Sequence, residues 1–279
     1  MLGKLMKYDF KALNYYLIVI HAMLLITAVL GRFLFVGRLM ENPAGLSDAG
    51  VVATIIGIII YVILFMTAVF GTMLMIAICF YKNLYSDEGY LTHTLPVTRG
   101  QLLISKTISG SIWMLLDMMM VILSLFILVL TRPVLDDFTA CRDELLRAMG
   151  FPASTGYRKI LLAFAVLFIV SAVGNVVIIY ASIAIGQLFS NHRVLGAVVV
   201  YFVINTIVSI ISSIAGAAYS MSTFIHAADE SSFVMMANDG VIYQVYARLF
   251  LFSLVLEIIL AIGAYTVTHL LMQKKLNLN

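Results

Sequence analysis

Six apolar stretches, each long enough to cross a lipid bilayer, dominate this 279-residue chain. A helix needs about 20 residues to span the roughly 30 Å of hydrocarbon. The stretches are continuously apolar rather than alternating, which indicates helices and not a β-barrel. They occupy residues 13–31, 51–80, 105–131, 160–188, 194–218 and 249–272. The sequence therefore predicts an all-α polytopic membrane protein with six transmembrane helices.

The composition limits the functions that are open to the chain. Hydrophobic residues make up 63% of it and charged residues 11%, which is more apolar surface than a soluble core can cover. The net charge of +3 is scattered, without the basic patch that nucleic acids require. The two cysteines offer no disulfide framework, and no phosphate loop, HExxH or GxSxG motif occurs. We expect neither catalysis nor a metal, a cofactor or a nucleic acid bound to this chain.

An even number of spans puts both termini on one side of the membrane. The Lys and Arg residues on that side lie in short segments, whereas those on the other side share their loops with many acidic residues. The positive-inside rule therefore places both termini in the cytoplasm. No internal repeat or low-complexity linker is found, so residues 1–279 are interpreted as one domain, with a membrane part at 13–272 and a cytoplasmic tail at 273–279.

Residues 1–12 have the pattern of an amphipathic helix. At helical spacing one face is apolar, and the opposite face carries Lys4, Lys7 and Lys11. This pattern predicts an interfacial helix whose lysines lie at the membrane surface. Asp9 falls within the apolar arc, and a carboxylate in that position predicts a partner elsewhere in the protein.

The connection between the second and third stretches contains two helix starts separated by a proline. Ser86 can cap a short helix with carboxylates in its first turn, and Pro96 ends that helix. Thr98 and Gln101 then form a capping box for the third span. We expect a short helix at residues 86–95 that lies across the cytoplasmic ends of spans two and three.

Two roles are open for this short helix. Exposed aromatic and leucine side chains are typical anchors for a protein partner, and tyrosines are equally suited to lipid headgroups. The exposed side chains expected here are Tyr85, Tyr90, Leu91 and His93.

The run YSDEGYLTHTLPVTR at residues 85–99, followed by Leu102, Leu103 and Lys106, resembles the ABC-2 family of ATP-binding-cassette permeases. The arrangement of spans is similar to that family along the whole chain, and the likeness is strongest to small Firmicutes permeases linked to peptide or antibiotic export. The resemblance implies that the short helix is a coupling helix, which sits in a cleft of a partner ATPase. The ATPase-docking residues would then be Tyr85, Asp87, Glu88, Tyr90, Leu91 and His93.

The resemblance also implies the partners and the place of the protein. The chain would be the permease subunit of an exporter in the bacterial cytoplasmic membrane, pairing with a second permease in a homodimer or heterodimer. ATP and Mg²⁺ would be bound by a separate ATPase subunit, and the substrate would be an amphipathic or hydrophobic peptide, antibiotic or lipid-like molecule. Two alternatives stay open: a secondary transporter that uses Asp117 and Glu257 for proton or ion coupling, and a membrane scaffold or sensor in antibiotic resistance.

Four polar residues lie near mid-depth in the predicted spans and suggest one polar layer: Asp117, Asn175, Asn205 and Glu257. A charged side chain at this depth costs roughly 2.5 to 3.5 kcal/mol on insertion scales, so the two carboxylates should not face lipid. They are interpreted either as packing groups, protonated or hydrogen-bonded to Asn, Ser or Thr on neighbouring helices, or as residues of a translocation path or proton relay.

Two segments on the outer side carry further expectations. In residues 132–159, a surface helix is predicted at 137–149, before Gly150 and Pro152. Residues 220–246 are too apolar for a free loop and too short for two more crossings, which favours short re-entrant or interfacial helices.

Overall fold

The computed structural model describes residues 2–36, 47–86, 88–89, 94, 96–148, 157–189, 191–229 and 239–274. Within these ranges the chain forms helices and no strand. Six of the helices are long and apolar enough to cross a membrane. The prediction of an all-α polytopic membrane protein is confirmed.

Each predicted apolar stretch corresponds to one long helix, although the third and the fourth stretches run two residues past the helix end. A shorter, polar helix follows the third long helix. The helices are α1, Leu2–Gly31; α2, Asp48–Tyr85; α3, Arg99–Val129; α4, Arg132–Ala148; α5, Tyr157–Gly186; α6, Arg193–Asp229; and α7, Asp239–Lys274. A π-helical turn, Arg32–Val36, follows α1 directly. Residues 2–12 and the first apolar stretch form one uninterrupted helix, so the amphipathic segment is an extension of the first span.

The chain divides into two compact units at Asp137 and Phe138, within α4. In the first unit α1, α2 and α3 pack together. Their buried side chains recur every three or four residues, which on α1 gives Leu13, Leu17, His21, Leu24 and Ala28. Spacing of this kind is typical of membrane helices that cross at small angles.

In the second unit α5 packs against both α6 and α7. Every residue from Val176 to Ala184 on α5 is buried. In contrast, α6 and α7 expose many large apolar side chains, among them Phe202, Ile214 and Ile262, as lipid-facing helices do.

Small residues let the backbones of α5 and α6 approach closely at their connection. A Cβ atom on Gly186 would lie 2.6 Å from the backbone nitrogen of Ala197, and one on Gly196 would lie 2.6 Å from Cδ2 of Phe189. The turn itself is closed by hydrogen bonds from the amides of Leu188 and Phe189 to the carbonyls of Ile185 and Gly186. Glycine is required here because any side chain would collide with the neighbouring helix.

Both expectations for the outer segments need correction. The surface helix exists but begins at Arg132, not at residue 137. Pro133 lies in its first turn, where the missing N–H is not needed, and Leu135 N donates to Thr131 O.

The prediction of short helices at residues 220–246 is wrong. Helix α6 continues to Asp229 and α7 begins at Asp239, while residues 230–238 lie outside the described ones. No Pro or Gly occurs from residue 217 to residue 239, so nothing in the sequence ends α6 at the membrane boundary.

We predict that Gly186→Ala lowers the thermal stability of the purified protein in detergent, because the added methyl group meets backbone atoms that cannot rotate away. Gly263→Ala on α7 is the matched control, since a Cβ there meets no atom within 4 Å. Alanine is about 1 kcal/mol better than glycine within a helix, so the control should melt at the same or a higher temperature. Equal melting temperatures for the two variants would contradict the close approach of α5 and α6.

Candidate functional site

Three polar side chains from the three helices of the first unit meet in its interior. Oδ1 of Asp117 on α3 lies 2.8 Å from Nε2 of His21 on α1. The same oxygen accepts a hydrogen bond from Oγ1 of Thr72 on α2 at 2.9 Å. All three side chains are buried. This cluster, His21, Thr72 and Asp117, is called the mid-membrane triad below.

The helical backbone holds the histidine ring in place. Nδ1 of His21 lies 2.6 Å from the carbonyl oxygen of Leu17, one turn earlier on α1. On α1 and α2 the next turns on either side of the triad are apolar: Leu17 and Leu24 flank His21, and Ala68 and Ile76 flank Thr72, all buried. Hydrogen bonds in such surroundings are stronger than in water.

Among the described residues, the triad is one of three polar contacts that join α3 to α1 or to the π-helical turn directly after α1. Near the start of both helices, Asp9 binds Lys106 and Ser105. Near their ends, Nη1 of Arg32 donates to the carbonyl oxygen of Ile127 at 2.9 Å. The offset in residue number is 95 to 97 at every contact, so the two helices run parallel in one register. From residue 9 to residue 32, a helical rise of 1.5 Å per residue gives about 35 Å, slightly more than the roughly 30 Å of the hydrocarbon core.

The contact of Asp9 is a buried ion pair. Nζ of Lys106 lies 2.9 Å from Oδ1 of Asp9, and the two side chains are 6% and 15% exposed. Oγ of Ser105 donates to Oδ2 of the same carboxylate at 3.1 Å. The prediction that Asp9 has a protein partner is confirmed. Lys4, Lys7 and Lys11 are exposed on the opposite face of α1, as the amphipathic pattern predicts.

The other residues of the predicted polar layer lie in the second unit. The hydroxyl of Tyr201 donates to Oδ1 of Asn175 at 3.4 Å, and Nδ2 of Asn205 donates to the carbonyl oxygen of Tyr201 at 2.9 Å. Glu257 on α7 packs against Gly174, where a Cβ would lie 2.4 Å from its Oε1. Asn175 thus contacts α6 and Glu257 contacts α5, whereas the bond of Asn205 lies within α6. Asp117 belongs to the triad of the first unit.

Sequence reasoning found Asp117 but missed its histidine. The interpretation of Asp117 as hydrogen-bonded to a Thr on a neighbouring helix agrees with its bond to Thr72. No role was predicted for His21. Its place in the middle of the first apolar stretch was the available signal, because an ionisable residue at that depth needs a partner.

The predicted docking segment is only partly described. Tyr85 was expected to be exposed, and that expectation is wrong: it is the last residue of α2 and is buried, with its ring 6.0 Å from that of Phe80. Glu88 is exposed and forms a surface ion pair with Lys82 at 3.0 Å. The remaining predicted docking residues, Asp87, Tyr90, Leu91 and His93, lie outside the described residues.

The ends of α2 and α3 at this segment are both capped. The Ser86 hydroxyl donates back to the Lys82 carbonyl and so serves α2, although it was expected to cap a following helix. Thr98 and Gln101 form the predicted capping box at the start of α3, with the two reciprocal bonds each 3.3 Å long. Between these caps Glu88 and Gly89 are helical, and most of residues 86–95 lies outside the described ones.

Comparisons with protein-family models, with curated proteins and with solved structures each found no match. In the described parts of the chain, no group of three or more His, Cys, Asp or Glu side chains is placed to hold a metal ion.

We predict that Asp9→Asn destabilises the protein on the order of 3 kcal/mol, because Lys106 then keeps a charge in a buried position without its carboxylate. The double variant Asp9→Asn, Lys106→Met should be more stable than Asp9→Asn alone, which thermal unfolding in detergent will measure. Asp143→Asn is the control, since it breaks an exposed pair with Arg142 and should cost less than about 1 kcal/mol. A similar loss in both single variants would mean that the Asp9 pair does not join the helices.

We also predict that Gly174→Ala and Glu257→Ala are not additive. The methyl group added at position 174 would displace the Glu257 carboxyl group, and without that carboxyl group the substitution should have little effect. The coupling energy from unfolding of the two single variants and the double variant should fall at about 0.5 to 3 kcal/mol. Strict additivity would show that Glu257 does not pack on Gly174.

Proposed function

We propose that this chain is the permease subunit of an ABC-2-type exporter in the bacterial cytoplasmic membrane, with both termini in the cytoplasm. It would move an amphipathic or hydrophobic substrate, powered by a separate ATPase, and would pair with a second permease. The proposal is supported by the segment between α2 and α3, which resembles a coupling helix and is bounded by the Ser86 and Thr98 caps. These caps fix the ends of the two spans next to the proposed docking site.

The contacts of the first unit suggest how force on that segment would reach the membrane. Helix α3 begins at the Thr98 cap, and within two turns Ser105 and Lys106 hold Asp9 of α1. Further along, the triad and the Arg32 contact keep the same register. A push on the segment would therefore move α1 and α3 together as one body, because sliding one past the other breaks all three contacts.

A second candidate function is a secondary transporter coupled to protons. The buried pair of His21 and Asp117 favours it, because ionisable residues inside a membrane span commonly mark proton or ion pathways. The two functions differ in their energy source. An exporter of the first kind requires an ATPase bound to the chain, whereas a proton-coupled transporter works in vesicles that contain the chain alone and carry a proton gradient.

The test is copurification of the ATPase from membranes of the native host. We expect wild-type protein to retain an ATPase, and the double variant Glu88→Ala, Tyr90→Ala to lose it or to uncouple its hydrolysis from transport. Thermal stability should change by no more than about 0.5 kcal/mol, since Glu88 is exposed and its pair with Lys82 lies at the surface.

Glu144→Ala is the matched control, because this carboxylate is exposed on α4 and is not part of the docking segment. It should retain the ATPase. An unchanged, fully coupled ATPase in the double variant, or no ATPase with the wild type, would overturn the proposal.

A further inference from the structure

We propose that His21 and Asp117 form a binding site for one proton that latches α1 to α3 at mid-membrane: the latch is closed with the proton bound and opens when it is lost. The inference rests on the hydrogen bonds of the mid-membrane triad and holds whichever of the two proposed functions is correct.

The count of donors and acceptors requires the proton. The Leu17 carbonyl oxygen can only accept, so Nδ1 of His21 carries a hydrogen and donates it. In a neutral imidazole with that hydrogen, Nε2 has only a lone pair, and it lies 2.8 Å from Oδ1 of Asp117. Two lone pairs at this distance repel. A single proton between them, on Nε2 or on Oδ1, turns the repulsion into a hydrogen bond.

With that proton the pair is neutral overall, either as imidazolium and carboxylate or as imidazole and carboxylic acid. Thr72 donates to the same oxygen, which suits the carboxylate form. Loss of the proton leaves one negative charge in a buried site, together with the two facing lone pairs. Both effects push His21 away from Asp117 and favour the entry of water.

Other ionisable groups of the three helices are too distant or already engaged to replace the proton. On α1, Tyr15 and Tyr16 are exposed. On α2, Cys79 lies seven residues from Thr72, about 10 Å along the helix. Three more lie nine or ten residues from the triad, about 13 to 15 Å along their helices: Tyr81 and Lys82 on α2, and the exposed Lys11 on α1. The groups at eleven or twelve residues, about 16 to 18 Å, have partners: Asp9 with Lys106, Arg32 with Ile127 O, and Tyr61 with Ser124.

A polar face on α3 offers a route for the proton. Lys106, Ser109, Trp113 and Asp117 are all buried and follow one another at helical spacing. Oγ of Ser109 and Nε1 of Trp113 are buried and have no hydrogen-bond partner among the described residues. Water would satisfy both atoms and would connect the triad to the end of the unit at which Asp9 lies.

Trp113 provides the measurement, because it is the single tryptophan of the chain and lies one turn from Asp117. We expect the fluorescence of wild-type protein in nanodiscs to shift to longer wavelength in one step as pH rises, when the latch opens and water enters. Asp117→Asn should lose the step, because an amide N–H donates to neutral His21 without an added proton. His21→Gln should lose the step as well, since the glutamine amide donates to the carboxylate at every pH. This second variant tests the proposal if Asp117→Asn fails to fold.

Glu257→Gln, which changes the other carboxylate of the predicted polar layer, is the control and should keep the step. A wild-type spectrum that is constant wherever the protein stays folded would overturn the proposal. So would a step that persists in both His21→Gln and Asp117→Asn, or one that disappears only in Glu257→Gln.

Discussion

Lipid tails are as apolar as leucine, so the helices of this protein gain little from hiding apolar side chains against one another. The helices are held together by polar and charged groups, for which lipid offers no hydrogen-bond or ion-pair partner. In the first unit these are the Asp9 and Lys106 ion pair, the triad around Asp117 and the Arg32 contact with Ile127. Because each of them joins α1 to α3 with the same offset, they hold the two helices in one register and do not merely attract one helix to the other.

In the second unit, close packing of the helix surfaces holds the helices together. Glycines at positions 174 and 186 on α5 let a carboxyl group of α7 and the backbone of α6 come within contact distance. Close backbone approach increases van der Waals contact, which is the attraction that remains when the hydrophobic effect is absent. One chain thus contains two ways of packing helices in lipid, polar contacts in its first half and small residues in its second.

Hydropathy and local signals predicted what depends on local physics. Sequence patterns predicted the six spans, the Thr98 capping box and the need of Asp9 for a partner. Each of these follows from the free-energy cost of one side chain in lipid or from its nearest neighbours along the chain. Several predicted spans end before the observed helix does, as on α6, which continues past its apolar stretch.

What could not be read was which face of each helix is buried. On α1 Leu17 is fully buried while the adjacent Ile18 is 52% exposed, and no residue type distinguishes them, since lipid accepts both. Contacts between residues that are far apart in the sequence could not be predicted from it either. Nothing near Asp117 in the sequence points to His21, 96 residues earlier. Tyr85 is buried although its place at the end of an apolar stretch favoured exposure.

The parallel register of α1 and α3 also constrains how the protein is made. Helix α3 brings Asp117 and Lys106 into the membrane, and the partners of both, His21 and Asp9, belong to a helix that was synthesised two spans earlier. A lone aspartate at mid-depth opposes insertion by roughly 2.5 to 3.5 kcal/mol. Stable insertion of α3 is therefore favoured if α1 stays beside the translocon until α3 arrives, so the first three helices enter the bilayer as a cohort and not one by one.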